Sequence, residues 1–404
     1  MKKSAMLLLC LGAAGVAHAQ SNVTIYGIVT GGLGYVDKVA TPASGARSTG
    51  SRVGLDSGQY TQSRLGFRGV EDLGGGMKAN FVIEGGFTMD NGASGQGGLT
   101  FGRRTTVGLS GAAGSIEVGR RKDYTDFIAN QYSTASRMLP FTGKVHGNNI
   151  DRSTGERANN MVYYLTPKFG GFQGNLTYAF GEQAGDNSAG QSVGFGGNYD
   201  DGGPFAAGFA YWQSRKSATV GTTNNSSDQG ASSNAGCNSA GLGSTGDVCV
   251  KVLMLGTSYK IGDLKLRGEW SHVKQPLINA SSGARPNFGT TFSATAGVAA
   301  FTAGGINNDK VDVYDVGADY SMGPWLFKGS VIHSRFNFVG ASQKGKLTAL
   351  VLGADYSLTK RTLLYGMLAN LRASDMYSPG LTSNGAPGVD NNQNALALGI
   401  LHRF

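Results

Sequence analysis

Charge, proline, cysteine and histidine are all scarce in this chain. Charged residues make up only 15% of its 404 positions, against about a quarter in a typical soluble domain. Beyond the first residues no stretch reaches 18 consecutive apolar positions, which excludes a helical membrane anchor. Cysteine occurs three times. Cys10 lies in an apolar leader, with no pattern that would make it a lipid anchor. Cys237 and Cys249 sit in a Ser/Asn/Gly-rich segment with no His nearby, so the pair reads as a disulfide closing a short loop and not as a metal site. After the leader the histidines are His146, His272, His333 and His402, none inside a persuasive Ser–His or acid–His motif. That argues against a barrel enzyme such as a lipase or protease. The positive charges form no block. The net charge of +9 falls to +7 once Lys2 and Lys3 are discounted, and what remains is spread along the chain. Nucleic acid is therefore excluded as a partner, and basic groups lining a channel are the better account.

What is present begins with an export signal over residues 1–19. Lys2 and Lys3 supply a positive start, residues 5–16 are apolar, and Ala17-His18-Ala19 is a cleavage pattern that leaves Gln20 as the first mature residue. The apolar run is too short to span a bilayer. Residues 20–404 then show a period of two. Met77, Ala79, Phe81 and Ile83 alternate with Lys78, Asn80 and Glu84, and Leu264, Leu266 and Trp270 alternate with Lys265, Arg267 and Glu269. Alternate strand residues face opposite sides. Lipid-facing strands need apolar side chains only at every second position, so mean hydropathy stays low, at -0.16. No comparable stretch has helical periodicity.

The connections alternate in length. Short turns fall at 72–75, 111–114, 167–170, 201–204, 261–263, 321–324 and 358–360. Long polar segments fall at 38–58, 89–99, 121–156, 181–191, 213–248, 274–309, 337–345 and 372–393. Seven turns and eight loops join 16 antiparallel strands. Segregation of loop length by parity is the habit of an outer-membrane barrel, and closure removes the sheet edges that lipid does not tolerate. Tyr26, Tyr35, Tyr178, Tyr211, Trp270, Tyr320, Trp325 and Tyr356 fall near strand ends, which suits aromatic girdles at the membrane surfaces. The chain closes on an amphipathic strand ending in Phe404, the kind of signal read by barrel-insertion machinery.

Several motifs, in order along the chain, resemble one family. They are Asn22-Val23-Thr24-Ile25-Tyr26-Gly27, Ser63-Arg64-Leu65-Gly66-Phe67-Arg68-Gly69, Glu71-Asp72-Leu73-Gly74, Val118-Gly119-Arg120, Met138-Leu139-Pro140 and Leu401-His402-Arg403-Phe404. Together they resemble the general trimeric porins of the Gram-negative outer membrane, of the beta-proteobacterial type. The resemblance implies a 16-stranded transmembrane barrel, a homotrimer in outer-membrane lipid and lipopolysaccharide, and a third long loop folded into the lumen. It also implies passive diffusion of ions and small hydrophilic solutes, with no cofactor.

Such a pore works through size exclusion and fixed charge. Arg64 and Arg68 alternate with Leu65 and Phe67, and an arginine facing lipid near the midplane costs about 2–4 kcal/mol, so both should face the lumen. The resemblance assigns Arg103 and Arg157 to a basic ladder beside them, with Arg120 at the start of the third loop. Strict alternation from Val107 and Leu109 instead turns Arg104 inward, and a bulge could favour either neighbour. In the third loop, Arg137 and Phe141 stand where relatives carry acids. Asp123 and Asp126 are left to supply counter-charge or to sit on the loop surface, and Arg137 and Lys144 add positive charge. A leaning to anions is expected. A pore specific for small anionic solutes is the alternative reading.

Overall fold

The computed structural model describes residues 22–40, 49–138, 157–216, 244–274, 308–338, 344–374 and 392–404. The leader, Cys237, Leu139, Pro140, Phe141, Lys144 and His146 lie outside them, as does the side chain of Arg137. The described chain is almost entirely strand. The first half comprises β1 (Asn22–Ala40), β2 (Thr49–Ser57), β3 (Ser63–Gly74), β4 (Met77–Phe87), β5 (Arg104–Gly111), β6 (Gly114–Lys122), β7 (Arg157–Leu165), β8 (Phe172–Ala179) and β9 (Ser192–Asp200). The second comprises β10 (Phe205–Arg215), β11 (Val248–Ile261), β12 (Leu264–Lys274), β13 (Asn308–Met322), β14 (Trp325–Phe338), β15 (Lys344–Ser357), β16 (Thr362–Ser374) and β17 (Asn392–Arg403). One α-helix among the described residues, α1 (Tyr124–Tyr132), lies between β6 and β7.

The sheet closes. From β3 onward each strand pairs antiparallel with the next, and β17 returns to β1 in a register running from Ile28↔Arg403 to Val36↔Ala395. The other edge of β1 takes β3 along its first seven residues and β2 beyond Gly31. β2 and β3 therefore share one position, and the 17 strand segments make a 16-stranded antiparallel barrel. This corrects the expectation of a loop over 38–58, where β1 extends to Ala40 and β2 folds back on it. The missed signal is again alternation, for Val53 is 72% exposed and Leu55 55%, while Arg52 pairs with Asp56 on the other face at 2.5 Å. Two glycines and two charges had disguised the strand. The short turns fall where the sequence places them.

Closure depends on Gly27. Its amide donates to the Phe404 carbonyl and Phe404 donates back, at 3.1 and 3.2 Å. A Cβ on Gly27 would stand 2.3 Å from the Phe404 ring, so only glycine leaves room for the terminal aromatic. Gly31 lies against Met89 and Gly34 against Asp56 and Gln59. These first-strand glycines thus serve contacts within the chain, and they carry no argument for assembly.

One face of the sheet is exposed and apolar, with Phe172, Leu176, Leu255, Val316, Leu350 and Leu398 upon it. Of the eight aromatics assigned to girdles, Tyr26 turns the other way and donates to Glu84. The opposite face is not uniformly polar. Near the long loops Val252, Val273, Val311, Val313, Leu347 and Leu371 are buried on it. A uniformly wet interior is therefore wrong for the described strands, because apolar side chains so fully buried are covered and not hydrated.

Candidate functional site

Arginines converge on the strands from β3 to β7, on the face opposite the exposed apolar one. Arg64 donates to the Gln62 carbonyl at 3.1 Å and to Thr61 Oγ1 at 2.6 Å. Arg103 donates to Gln62 Oε1 at 2.5 Å and pairs with Glu84 at 2.7 Å. Tyr26 donates to the same glutamate at 3.0 Å, and Arg68 stacks over the Tyr26 ring at 5.3 Å. Arg104 stands opposite Glu84 in the β4–β5 register and pairs with Glu117 at 2.6 Å. Arg121 shares Glu117 at 2.5 Å and covers the Tyr163 ring at 3.3 Å. Arg120 donates to the Gly102 carbonyl and Arg157 to the Arg103 carbonyl, at 2.7 and 2.9 Å, so both brace the corner that presents Arg103.

Seven arginines thus form one linked wall, and two glutamates offset them. The choice between Arg103 and Arg104 dissolves, because both reach acids of this wall. Arg104 does so as the first residue of β5, and Arg103 from the corner before it. Sequence reasoning did not single out Glu84 and Glu117 as partners, although both lie on the polar parity of their strands. It also passed over Gln62 and Tyr163.

Asp123 is neither a lumen charge nor a loop-surface carboxylate. It is buried as the N-cap of α1, accepting from the Thr125 amide at 2.6 Å and the Thr125 hydroxyl at 2.5 Å. A carboxylate there satisfies an otherwise unpaired amide and faces the positive end of the helix. Asp126 pairs with Lys122 at 2.7 Å.

The helix leads from this wall onto the next strands of the barrel. Tyr124, Ile128 and Tyr132 recur every four residues and share one face, which lies on glycines of β9, β10 and β11. A Cβ on Gly196 would meet Tyr124 at 2.3 Å, one on Gly208 would meet Ile128 at 2.8 Å, and one on Gly256 would meet Tyr132 at 2.4 Å. The Tyr132 hydroxyl donates to Asn198, Arg267 donates to the Gln131 carbonyl, and Ser133 donates to Asp315. Thr134 then lies against Gly317, and Met138 against Gly353. From Tyr124 to Met138 the segment therefore tracks the same face of β9 through β15. Burial raises the Tyr124 hydroxyl to about 12 and lifts Tyr132 well above its ordinary range, so both stay protonated at neutral pH.

Beneath this segment lie acids. Glu269 and Asp315 are opposed in the β12–β13 register, Arg267 pairs with Asp319 at 2.8 Å, and Lys328 pairs with Asp355 at 2.9 Å. All are buried. Charge is thus divided across the barrel, with the positive half more open than the negative half. Cys249, at the start of β11, is buried and disulfide-bonded. Among the described residues no group of three or more His, Cys, Asp or Glu could hold a metal.

A closed antiparallel barrel with an apolar outer band and a charged inner wall defines an outer-membrane pore. Comparison with known proteins names the family. The sequence model described as Gram-negative porin matches residues 4–376, and the chain belongs to that family. It is 34% identical to outer membrane porin protein 32 of Delftia acidovorans over the whole of both chains. It is 36% identical to an outer membrane porin of Bordetella pertussis over 48% of this chain and 52% of that one. A solved structure described as an anion-selective porin from Comamonas acidovorans superposes with a TM-score of 0.68 at 29% identity, covering 95% of this chain and all of the other. OmpT of Vibrio cholerae shares the fold at 13% identity, with a TM-score of 0.60 over 95% of this chain and 98% of that one. The protein is a porin of the outer membrane, a passive diffusion channel and not an enzyme.

Proposed function

We propose that the channel passes small hydrophilic solutes with a preference for anions, and that the 121–156 segment lies within the lumen as its constriction. The carrying observation is the imbalance between the two walls. Arg64, Arg68, Arg103, Arg104, Arg120, Arg121 and Arg157 lie beside Glu84 and Glu117 on the described strands, while Glu269, Asp315, Asp319 and Asp355 are buried on the far side, Asp319 paired with Arg267 and Asp355 with Lys328. Fixed charges between low-dielectric walls raise the local concentration of counter-ions. The packing of Tyr124, Ile128 and Tyr132 supports the placement of the loop, since it draws the segment from the β6 side across to β9–β11. Arg137 and Lys144 belong to the same stretch of sequence and add to its positive charge. The anion-selective porin from Comamonas acidovorans points the same way. A reversal potential in planar bilayers under a KCl gradient tests the preference. An anion-selective sign is expected, and cation selectivity at neutral pH overturns it.

The remaining parts of the reading follow from the sequence signals and, for the trimer, from the family. Residues 1–19 are removed on export, Phe404 presents the terminal strand to the insertion machinery, and Cys249 bonds Cys237. Three chains assemble side by side in lipid and lipopolysaccharide. Mass spectrometry of the unreduced mature protein, together with its native mass, checks cleavage, disulfide and trimer.

A further inference from the structure

The strand position shared by β2 and β3 holds more chain than the sheet can use. Ser57 of β2 stands opposite Gly31, and Arg64 of β3 stands opposite Ile28. Seven steps along this position (57 to 64) therefore face three steps along β1 (31 to 28), and the four surplus residues must leave the sheet. An ordinary β-bulge takes up one. Both ends of the excursion are pinned to Thr30. The Gly58 amide donates to the Thr30 carbonyl at 3.3 Å. Ser63 Oγ donates to the same carbonyl at 3.2 Å and accepts from the Thr30 amide at 3.0 Å. Gly58 makes the departure at a φ of +72°, which glycine adopts without strain.

The excursion runs inward. Tyr60 donates to Asp355 Oδ2 on β15 at 2.6 Å, and its ring lies 5.4 Å from that of Tyr365 on β16. Asp355 and Tyr365 are buried and stand on the parity opposite to exposed Leu352 and Leu364, so both belong to the inner face. β15 is three strands from β1, about 14 Å along the wall at ~4.8 Å per strand. Glycines clear the way. A Cβ on Gly34 would stand 2.6 Å from Gln59 Nε2, and one on Gly399 would stand 2.3 Å from the Tyr365 hydroxyl. At its other end the turn holds the arginine wall, since Thr61 accepts from Arg64 and Gln62 from Arg103.

The segment from α1 ends at the same place. Met138 lies on Gly353, two residues from Asp355 on the same face of β15. Lys328 joins the two. Its Cε lies beside Gly353, and its Nζ is 2.9 Å from Asp355 and 4.4 Å from the centre of the Tyr60 ring.

We infer that the turn at residues 58–62 is a second constriction element, joined to the third-loop segment at β15 in one collar that faces the arginines, and that Tyr60 sets the size limit of the channel. The inference deepens the proposed constriction and rests on it for the third-loop half of the collar. A ring held by a hydrogen bond and by an ammonium over its face does not swing aside. A passing solute must then fit between this turn and the guanidinium groups it tethers, and a rigid lining at the narrowest point is what discriminates by size.

Liposome swelling with neutral sugars of graded size, which feel the aperture and not its charge, tests this. Tyr60→Ala should raise the ratio of trisaccharide to monosaccharide entry at least about twofold over wild type. A ratio equal to wild type overturns the role of Tyr60. Thr61→Cys keeps Tyr60 in place and gives a second readout. Single-channel current through this variant should step down when a bulky neutral methanethiosulfonate reagent is added, and wild-type current should not. Undiminished current through protein shown by mass to be labelled places the turn outside the aperture and overturns the inference. Both effects would persist if the third-loop segment lay elsewhere, so the two readings fail separately.

Discussion

Replacing Gly256 by alanine adds a single carbon at the point where α1 meets the β11 wall. That Cβ would stand 2.4, 2.5 and 2.6 Å from Cδ2, Cγ and Cβ of Tyr132, where ordinary contact begins at 3.4 Å. The clash is with the root of the side chain, so swinging the ring does not relieve it, and the helix must retreat by at least 1.0 Å (3.4 less 2.4). Overpacking of this kind costs about 1–3 kcal/mol. It falls on a helix whose Ile128 and Tyr132 are fully buried and whose Tyr132 hydroxyl is tied to Asn198. The barrel itself is held by its strand ladder, so β-sheet circular dichroism should be unchanged. Motion away from β11 carries the helix toward the arginine wall and narrows the opening. Single-channel conductance of Gly256→Ala in planar bilayers should therefore fall. Gly268→Ala on β12 is the control, because its new Cβ would meet only Thr257 at an ordinary 3.8 Å. Wild-type conductance in Gly256→Ala, or an equal drop in Gly268→Ala, would refute the argument.

Other outcomes follow from the same geometry. Arg64→Gln with Arg68→Gln removes two cations that form no ion pair with Glu84 or Glu117, so reversal potentials should move toward zero while the fold persists. Arg267→Met removes the ion-pair partner given to buried Asp319 at 2.8 Å and releases the Gln131 carbonyl. Breaking one side of a buried pair costs about 3–5 kcal/mol, so the thermal midpoint should drop, and a midpoint equal to wild type would count against the anchor. The Tyr124 hydroxyl, raised to about 12, favours the docked helix fully below the ordinary tyrosine range near pH 10. That contribution fades as pH climbs toward 12. The difference in tyrosinate absorbance between wild type and Tyr124→Phe should appear near pH 12, and a transition near pH 10 would show the hydroxyl to be solvated.

How far the sequence reached depended on the range of the signal. Period-two alternation in β4 and β12 and the turns at 111–114 and 261–263 are local, so strand count, closure and location in the outer membrane could be read from it. The alternation of Val53 and Leu55 is equally local, but Arg52, Gly54 and Asp56 between and beside them give the stretch the composition of a loop. Tyr124, Ile128 and Tyr132 also marked a helix, but nine residues inside a polar segment gave too short a run to stand out.

The sequence by itself determined that one sheet closes into a 16-stranded barrel, because each residue's face follows from its own parity along the strand. Only the tertiary structure decided which charges meet. Glu84 and Arg103 are 19 residues apart, Ser133 and Asp315 are 182 apart, and Asp123 turned out to cap a helix and not to face a lumen. Parity says which way a side chain points, but its partner depends on the register of neighbouring strands and on where a long loop comes to rest. Both are settled by packing between parts of the chain that are remote in sequence.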